Sequence, residues 1–145
     1  MKYIYLFVLI ILLTACTSKV KHTEQIQIEK VNTLSKTLYL RGDFTLWDAE
    51  PHYQLKTNSS GIYSVKAKFM TPGKVYEFKI ADKAWSDGYN CGYKENGTLT
   101  LDVPEIADCK TVYNYFSFKP KEKGWYVITF DNSESNMPKV TISKS

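Results

Sequence analysis

Beyond Lys36 the chain is a series of short segments in which apolar and polar residues alternate. Leu38 and Leu40 alternate with Tyr39 and Arg41, and Tyr63, Val65, Ala67 and Phe69 with Ser64, Lys66 and Lys68. Tyr76, Phe78 and Ile80 alternate with Glu77 and Lys79, and Leu99 and Leu101 with Thr98, Thr100 and Asp102. Val112 to Phe118 reads as a further aromatic strand, and Trp125 to Phe130 and Val140 to Ile142 close the series. Gln25-Ile26-Gln27-Ile28-Glu29 predicts an earlier edge strand. A period of two puts successive side chains on opposite faces of a strand, so each run has one face for a core and one for solvent. Asn58-Ser59-Ser60-Gly61, Pro72-Gly73, Asn96-Gly97 and Lys123-Gly124 separate the runs with turn chemistry. No run has a helical period. The pattern predicts an all-β fold, an antiparallel β-sandwich formed by residues 37–145 as a single domain. If Tyr76, Phe78 and Ile80 face the core, Lys79 faces away from it, and if Tyr126, Ile128 and Phe130 do so, Trp125 stands on the outer face.

The first residues follow a different rule. Lys2 is followed by an unbroken apolar run from Tyr3 to Leu13. A bilayer span needs about 20 apolar residues, so this run suits the hydrophobic region of a secretory signal instead. It ends in Leu13-Thr14-Ala15-Cys16, which resembles the lipobox of bacterial lipoproteins. That resemblance implies a signal peptide over 1–15 and cleavage before Cys16. Cys16 then carries a diacylglycerol and an acylated amino group. Several chains are needed because each buried CH₂ contributes about 0.8 kcal/mol and one chain anchors only marginally. Residues 16–36 are the lipidated cysteine and a polar, Lys-rich tether. Thr17, where such lipoproteins often carry Asp for inner-membrane retention, favours the outer membrane of the cell envelope.

Composition narrows the function. Of the 145 residues 43% are hydrophobic and 23% charged, a globular balance. A net charge of +4, dispersed along the chain, does not argue for nucleic acid. With Cys16 lipidated, two of the three cysteines remain, Cys91 and Cys109, and outside the cytoplasm such a pair is expected to form a disulfide. A metal site is not indicated, since the only histidines are His22 and His52 and no CxxC is present. No HExxH, Gly-rich phosphate loop or GxSxG elbow occurs, and no two carboxylates pair on recognisable grounds, so neither an enzyme nor a cofactor is expected. The distinctive feature is 14% aromatic content, with eleven tyrosines.

The aromatics concentrate in ordered segments: Leu38-Tyr39-Leu40-Arg41-Gly42-Asp43-Phe44-Thr45-Leu46-Trp47, Tyr76-Glu77-Phe78-Lys79-Ile80-Ala81-Asp82-Lys83-Ala84-Trp85, and Gly124 to Asp131 followed by Met137 to Ile142. In these segments the chain resembles the immunoglobulin-like, early-set carbohydrate-binding modules that accompany pullulanases, isoamylases and glycogen-branching enzymes. The glycogen-binding domain of AMP-activated protein kinase is a relative of them. The resemblance covers roughly residues 37–143. It implies that Trp47 and Trp85 are stacking platforms for an α-glucan, that Lys79 hydrogen-bonds sugar hydroxyls, and that Asn90 also contacts sugar. The physics is suitable: an indole meets the C–H face of a glucose ring and a donor meets its polar rim. Two indoles set at an angle suit a curved α-1,4 chain. Two departures stand out: Thr45 replaces the family's Asn, and the segment between Trp85 and Cys109 carries the expected disulfide. The alternative function is a protein-interaction module of the envelope that uses the same aromatic face on a partner. Outside that face, Arg41 and Asp43 are expected to form a local surface ion pair, Trp125 to pack at an edge or between sheets, and His22 and His52 to lie on the surface.

Overall fold

The computed structural model describes residues 33–57, 61–95, 97–134 and 136–145. The signal segment, Cys16, the tether up to residue 32 and the edge strand expected at 25–29 lie outside the described residues. Within them the chain forms ten strands: β1 (Tyr39–Gly42), β2 (Lys56–Thr57), β3 (Ile62–Phe69), β4 (Tyr76–Ala81), β5 (Asn90–Tyr93), β6 (Thr98–Leu99), β7 (Glu105–Asp108), β8 (Phe116–Phe118), β9 (Gly124–Asp131) and β10 (Lys139–Lys144). The helical elements among the described residues are two single 3₁₀ turns, Asp43–Thr45 and Pro51–Tyr53.

The strands make two layers. One runs β2–β3–β9–β10–β7, antiparallel throughout, with β3 and β9 paired over their full length from Ile62 opposite Asp131 to Phe69 opposite Gly124. The other is built on β4. One edge of β4 carries β1, and the other is shared end to end by β8, opposite Tyr76 to Phe78, and β5, opposite Ile80 and Ala81. β6 adds to β8 in parallel, which departs from the wholly antiparallel expectation. Both corners are stitched. β5 leaves β4 and pairs with β7 through Gly92 and Tyr93. On the far side Tyr39 bridges to Gln54, and the Leu55 amide donates to the Leu38 carbonyl at 2.9 Å.

The alternation expected from the sequence is realised in β3 and β9. Tyr63, Val65, Ala67 and Phe69 are buried against Tyr126, Ile128 and Phe130, while Lys66, Lys68 and Trp125 face outward; Trp125, on a strand flanked by β3 and β10, is exposed rather than packed at an edge or between sheets as expected. Phe69 sits at the centre of the core, its ring packed on Tyr76 at 4.5 Å, Tyr126 at 5.6 Å, Phe44 at 5.7 Å and Phe118 at 5.8 Å. Burying a side chain of this size contributes about 1.5–3 kcal/mol. Cys91 and Cys109 form a disulfide across a sequence separation of 18, at the corner where β5 passes between layers. Restraining a loop of this size is worth about 3 kcal/mol in the chain-entropy account.

β1 and β4 break the alternation. Every residue of β1 is buried, and so are Lys79 and Ala81 on the outer side of β4. The cause is a segment expected to be a strand. Only Phe116–Phe118 of the Val112–Phe118 run pairs; Thr111 to Tyr115 lie instead across the outer face of the β4 layer. Local bonds hold the segment in that form. The Asn114 amide donates to Thr111 Oγ1 at 3.1 Å, and its side chain donates to the Tyr93 carbonyl at 3.2 Å. Gly92 makes room beneath: a Cβ there would lie 2.0 Å from the Asn114 carbonyl oxygen. β5 had no alternation to reveal it, because Asn90-Cys91-Gly92-Tyr93 is covered on both faces.

Candidate functional site

Trp47 stands at the end of a tight loop that leaves β1. Gly42 is required at its root, since a Cβ there would lie 2.5 Å from the Glu77 carbonyl oxygen and 2.7 Å from the Phe44 ring. The Thr45 hydroxyl, at the position where the resembling family carries Asn, closes the loop. It accepts from the Gly42 amide at 3.0 Å and donates to the Gly42 carbonyl at 3.1 Å. The Trp47 amide donates to the same carbonyl at 2.9 Å. Phe44 pins the loop to the core, edge-on to Tyr53 at 5.3 Å and to Phe69. Leu46 and Trp47 consequently take φ of 52° and 63°, the left-handed region that L-residues avoid.

Trp85 occupies a second loop, after β4, and is also left-handed, with φ of 55°. Asp82 shapes this loop. One carboxylate oxygen accepts from the Ser86 amide and the other from the Ser86 hydroxyl, both at 2.7 Å, and Lys36 Nζ lies 3.5 Å away. Burial alone would raise the Asp82 pKa, but the two Ser86 hydrogen bonds and Lys36 outweigh it, and the carboxyl sits below its ordinary value. Strained non-glycine backbone costs about 1–3 kcal/mol per residue and persists only where the surroundings over-determine it. In this chain it occurs at both tryptophans singled out from the sequence.

Arg41 joins the two loops. It is a buried residue of β1, 6% exposed, on the outer face of its layer. Its Nε donates to the Trp47 carbonyl at 2.7 Å, and its Nη1 donates to the carbonyls of Asp82 at 2.7 Å and Lys83 at 3.2 Å. The guanidinium carbon lies 3.6 Å from the centroid of the Trp85 ring, in cation–π contact. Burial pulls the Arg41 pKa below its ordinary value, while Asp48 and Asp82 act in the opposite direction. The expected Arg41–Asp43 ion pair does not form: Asp43 pairs with Lys74 at 3.1 Å, and Arg41 turns to main-chain oxygens. One face of the Trp85 ring is thereby backed by a cation, and the residue remains 36% exposed. Trp47 is half-buried, with the exposed Tyr115 ring 6.4 Å away at 59°.

Lys79 lies under this surface, and Asn90 is buried at the disulfide corner. Lys79 is opposite Arg41 in the β1–β4 register and is 5% exposed. Its ammonium donates to the Thr111 carbonyl at 2.9 Å and the Val112 carbonyl at 3.3 Å, which ties down the segment that carries Tyr115. Burial lowers its pKa to about 8, with Asp108 opposing the shift. Asn90 is buried beside the disulfide, and its amide oxygen has no partner among the described residues. The structure therefore links the Trp47 and Trp85 loops through Arg41 and leaves Lys79 and Asn90 buried. Sequence reasoning missed two members of the site, Arg41 and Tyr115. The signal for Arg41 was its place on the same strand face as the turn it precedes; Tyr115 was hidden in an apparent strand. Among the described residues no group of three or more His, Cys, Asp or Glu side chains is arranged to hold a metal ion.

No family model matches the chain, and no curated protein sequence does. Among solved structures it is similar to "Ligand induced structure of AmyP-SBD", SBD denoting a starch-binding domain, with a TM-score of 0.58 over 97% of this chain and 96% of that one. The identity is 20%, and the likeness is one of fold.

Two outcomes follow from this geometry. Arg41→Gln removes the charged donor to both loops and is expected to lower the unfolding free energy by about 2–4 kcal/mol. It is also expected to red-shift tryptophan emission as the loops loosen; denaturant titration and fluorescence read the two effects. Lys79 gives a pH signature. Its folded pKa is depressed, so between about pH 8 and the ordinary lysine value near 10.4 the unfolded chain binds more protons than the folded one. Its contribution to stability therefore rises with pH across that window and is lost as pH falls through about 8. The stability difference between wild type and Lys79→Met should grow over the same interval in thermal melts at stepped pH. A flat difference would show an unperturbed lysine.

Proposed function

We propose that this protein is a non-catalytic module that binds α-glucan, such as glycogen, starch or maltodextrin, on the surface formed by Trp47, Trp85 and Tyr115. The observation that carries the reading is the Arg41 brace: one buried guanidinium holds both tryptophan loops in left-handed conformations. Loops fixed in this way present their rings at a smaller ordering cost on binding, which is how preorganisation contributes affinity. Trp85 has one ring face backed by Arg41 and is 36% exposed, which leaves ring surface for a pyranose to stack on. Trp47 and Tyr115, inclined to one another, suit a curved chain. The fold shared with AmyP-SBD supports the same ligand class. Lys79 acts here as a positioning residue, holding the Tyr115 segment against β4. Affinity is expected in the micromolar to millimolar range, about −8 to −4 kcal/mol. The sequence around Cys16 supports a lipid anchor in the cell envelope, with Thr17 favouring the outer membrane.

Affinity electrophoresis of the full chain in detergent, in gels containing glycogen, amylopectin or hydroxyethyl cellulose, tests the ligand. Retardation by the α-glucans alone, abolished in the Trp47→Ala, Trp85→Ala double variant, is the expected result. Free migration of the folded protein in every gel would sink the sugar reading and leave the aromatic face as a protein-docking surface. The anchor is checked separately by mass spectrometry of the mature N-terminus, which should carry diacylglyceryl and acyl groups on Cys16 and lose them in Cys16→Ser.

A further inference from the structure

The outer face of the opposite layer is not covered by any loop among the described residues, and it contains a groove of about 530 Å³ that crosses β2, β3 and β9. Its lining includes Lys56, Ser64, Lys66, Val127, Trp125 and, at one end, His52. The strand register sets the arrangement. Lys56 lies opposite Ser64, Lys66 opposite Val127, and Lys68 opposite Trp125. Trp125 is 51% exposed, and Lys68 Nζ stands 5.7 Å from the centroid of its ring. Among the described residues no carboxylate lines the groove, and Lys56, Lys66 and Lys68 are in no salt bridge. His52 pairs with Glu50 at 3.5 Å.

We propose that this groove is a second saccharide site, separate from the Trp47–Trp85 face, and that it takes sugars bearing carboxylate or sulfate groups. An exposed indole supplies the stacking surface for a pyranose ring, and the hydroxyl of Ser64 matches its polar rim. The ammonium groups of Lys56, Lys66 and Lys68 supply what a neutral sugar does not need, a set of charge-assisted donors around that surface. The contrast with the first face decides the class of ligand. There Arg41 and Lys79 are buried with their donors directed to main-chain carbonyls, Lys36 is paired with Asp82, and Lys83, beside the Tyr39 ring, is the one lysine of the Trp85 loop. Here the cations are at the surface and a ligand is the available anion. A concave groove with one indole fits a polysaccharide chain better than a flat bilayer.

Isothermal titration of the full chain in detergent micelles against polygalacturonate, heparin and amylopectin tests the site, with the first two distinguishing carboxylate from sulfate. The expected result is binding of at least one acidic polymer, weakened by added salt. It should be weakened about tenfold or more in Trp125→Ala and in Lys66→Gln, Lys68→Gln, with no change in Trp47→Ala, Trp85→Ala. These side chains are on the surface, and unchanged thermal midpoints in the variants confirm that loss of binding is not loss of fold. The proposal is overturned if neither acidic polymer binds, or if the lysine variant weakens binding while Trp125→Ala leaves it intact, which is unspecific charge attraction. It is equally overturned if the Trp47→Ala, Trp85→Ala variant removes the acidic polymers too. The amylopectin titration reports on the first face independently, so either site can fail alone.

Discussion

The aromatic face depends on a buried cation whose hydrogen bonds go to main-chain carbonyls. Arg41 points outward from β1, into a position that would be open solvent in an ordinary two-layer sheet. Its Nε and Nη1 reach the carbonyls of Trp47, Asp82 and Lys83. A buried charge is tolerated only if it is well hydrogen-bonded, and a guanidinium meets that condition because its donors are fixed in a planar fork. The strand fixes one end of the side chain, so the carbonyls that satisfy the fork are fixed as well. That constraint places both loops. Hydrogen bonds to a charged group are worth about 1.5–3 kcal/mol each, the same order as the strain of a left-handed residue. The strained turns at Trp47 and Trp85 are held by interactions of comparable size.

Lys79 repeats the device one strand away. It too is a cation on the outer face, and it too is satisfied by carbonyls, those of Thr111 and Val112. The two cations are cross-strand neighbours, so one strand pair carries both attachment points for three separate segments of chain. Gly92 allows the third segment to lie flat on the sheet, and the nearby disulfide holds the corner where that segment begins. The surface above β4 is therefore a built layer of loops, firmly connected to the sheet below.

The two outer faces of the sandwich show how one strand pattern leads to two different surfaces. On β3 and β9 the outward lysines and Trp125 stay in water and surround a groove. On β1 and β4 the outward arginine and lysine are buried under loops that lift three aromatic rings to the surface. Aromatic rings lie over buried cations on one side, and exposed lysines stand around an indole on the other, from residues that look alike in a list of alternating positions. The likeness to AmyP-SBD extends over nearly the whole of both chains, so this division sits on a framework shared at the level of fold.

The sequence by itself determined which residues face the core of β3, β4, β9 and β10, because a period of two and turn residues are local properties that pairing only confirms. It also pointed to Trp47 and Trp85, since each follows a strand within a short turn. The contacts of Lys79 were not legible. A lysine on an outer strand face is ordinarily solvated, and only a segment more than thirty residues later in the chain encloses it. Arg41 read as a partner for Asp43 two positions away, yet its contacts lie with loops that fold back from both sides. Tyr115 read as a strand residue because its neighbours are aromatic. Hydrogen bonds from Asn114 and Lys79, and the absence of a side chain at Gly92, make it a surface ring instead. Alternation states which side of a strand a residue occupies; what covers that side is decided by chain segments distant in sequence, and their arrival is a property of the tertiary structure alone.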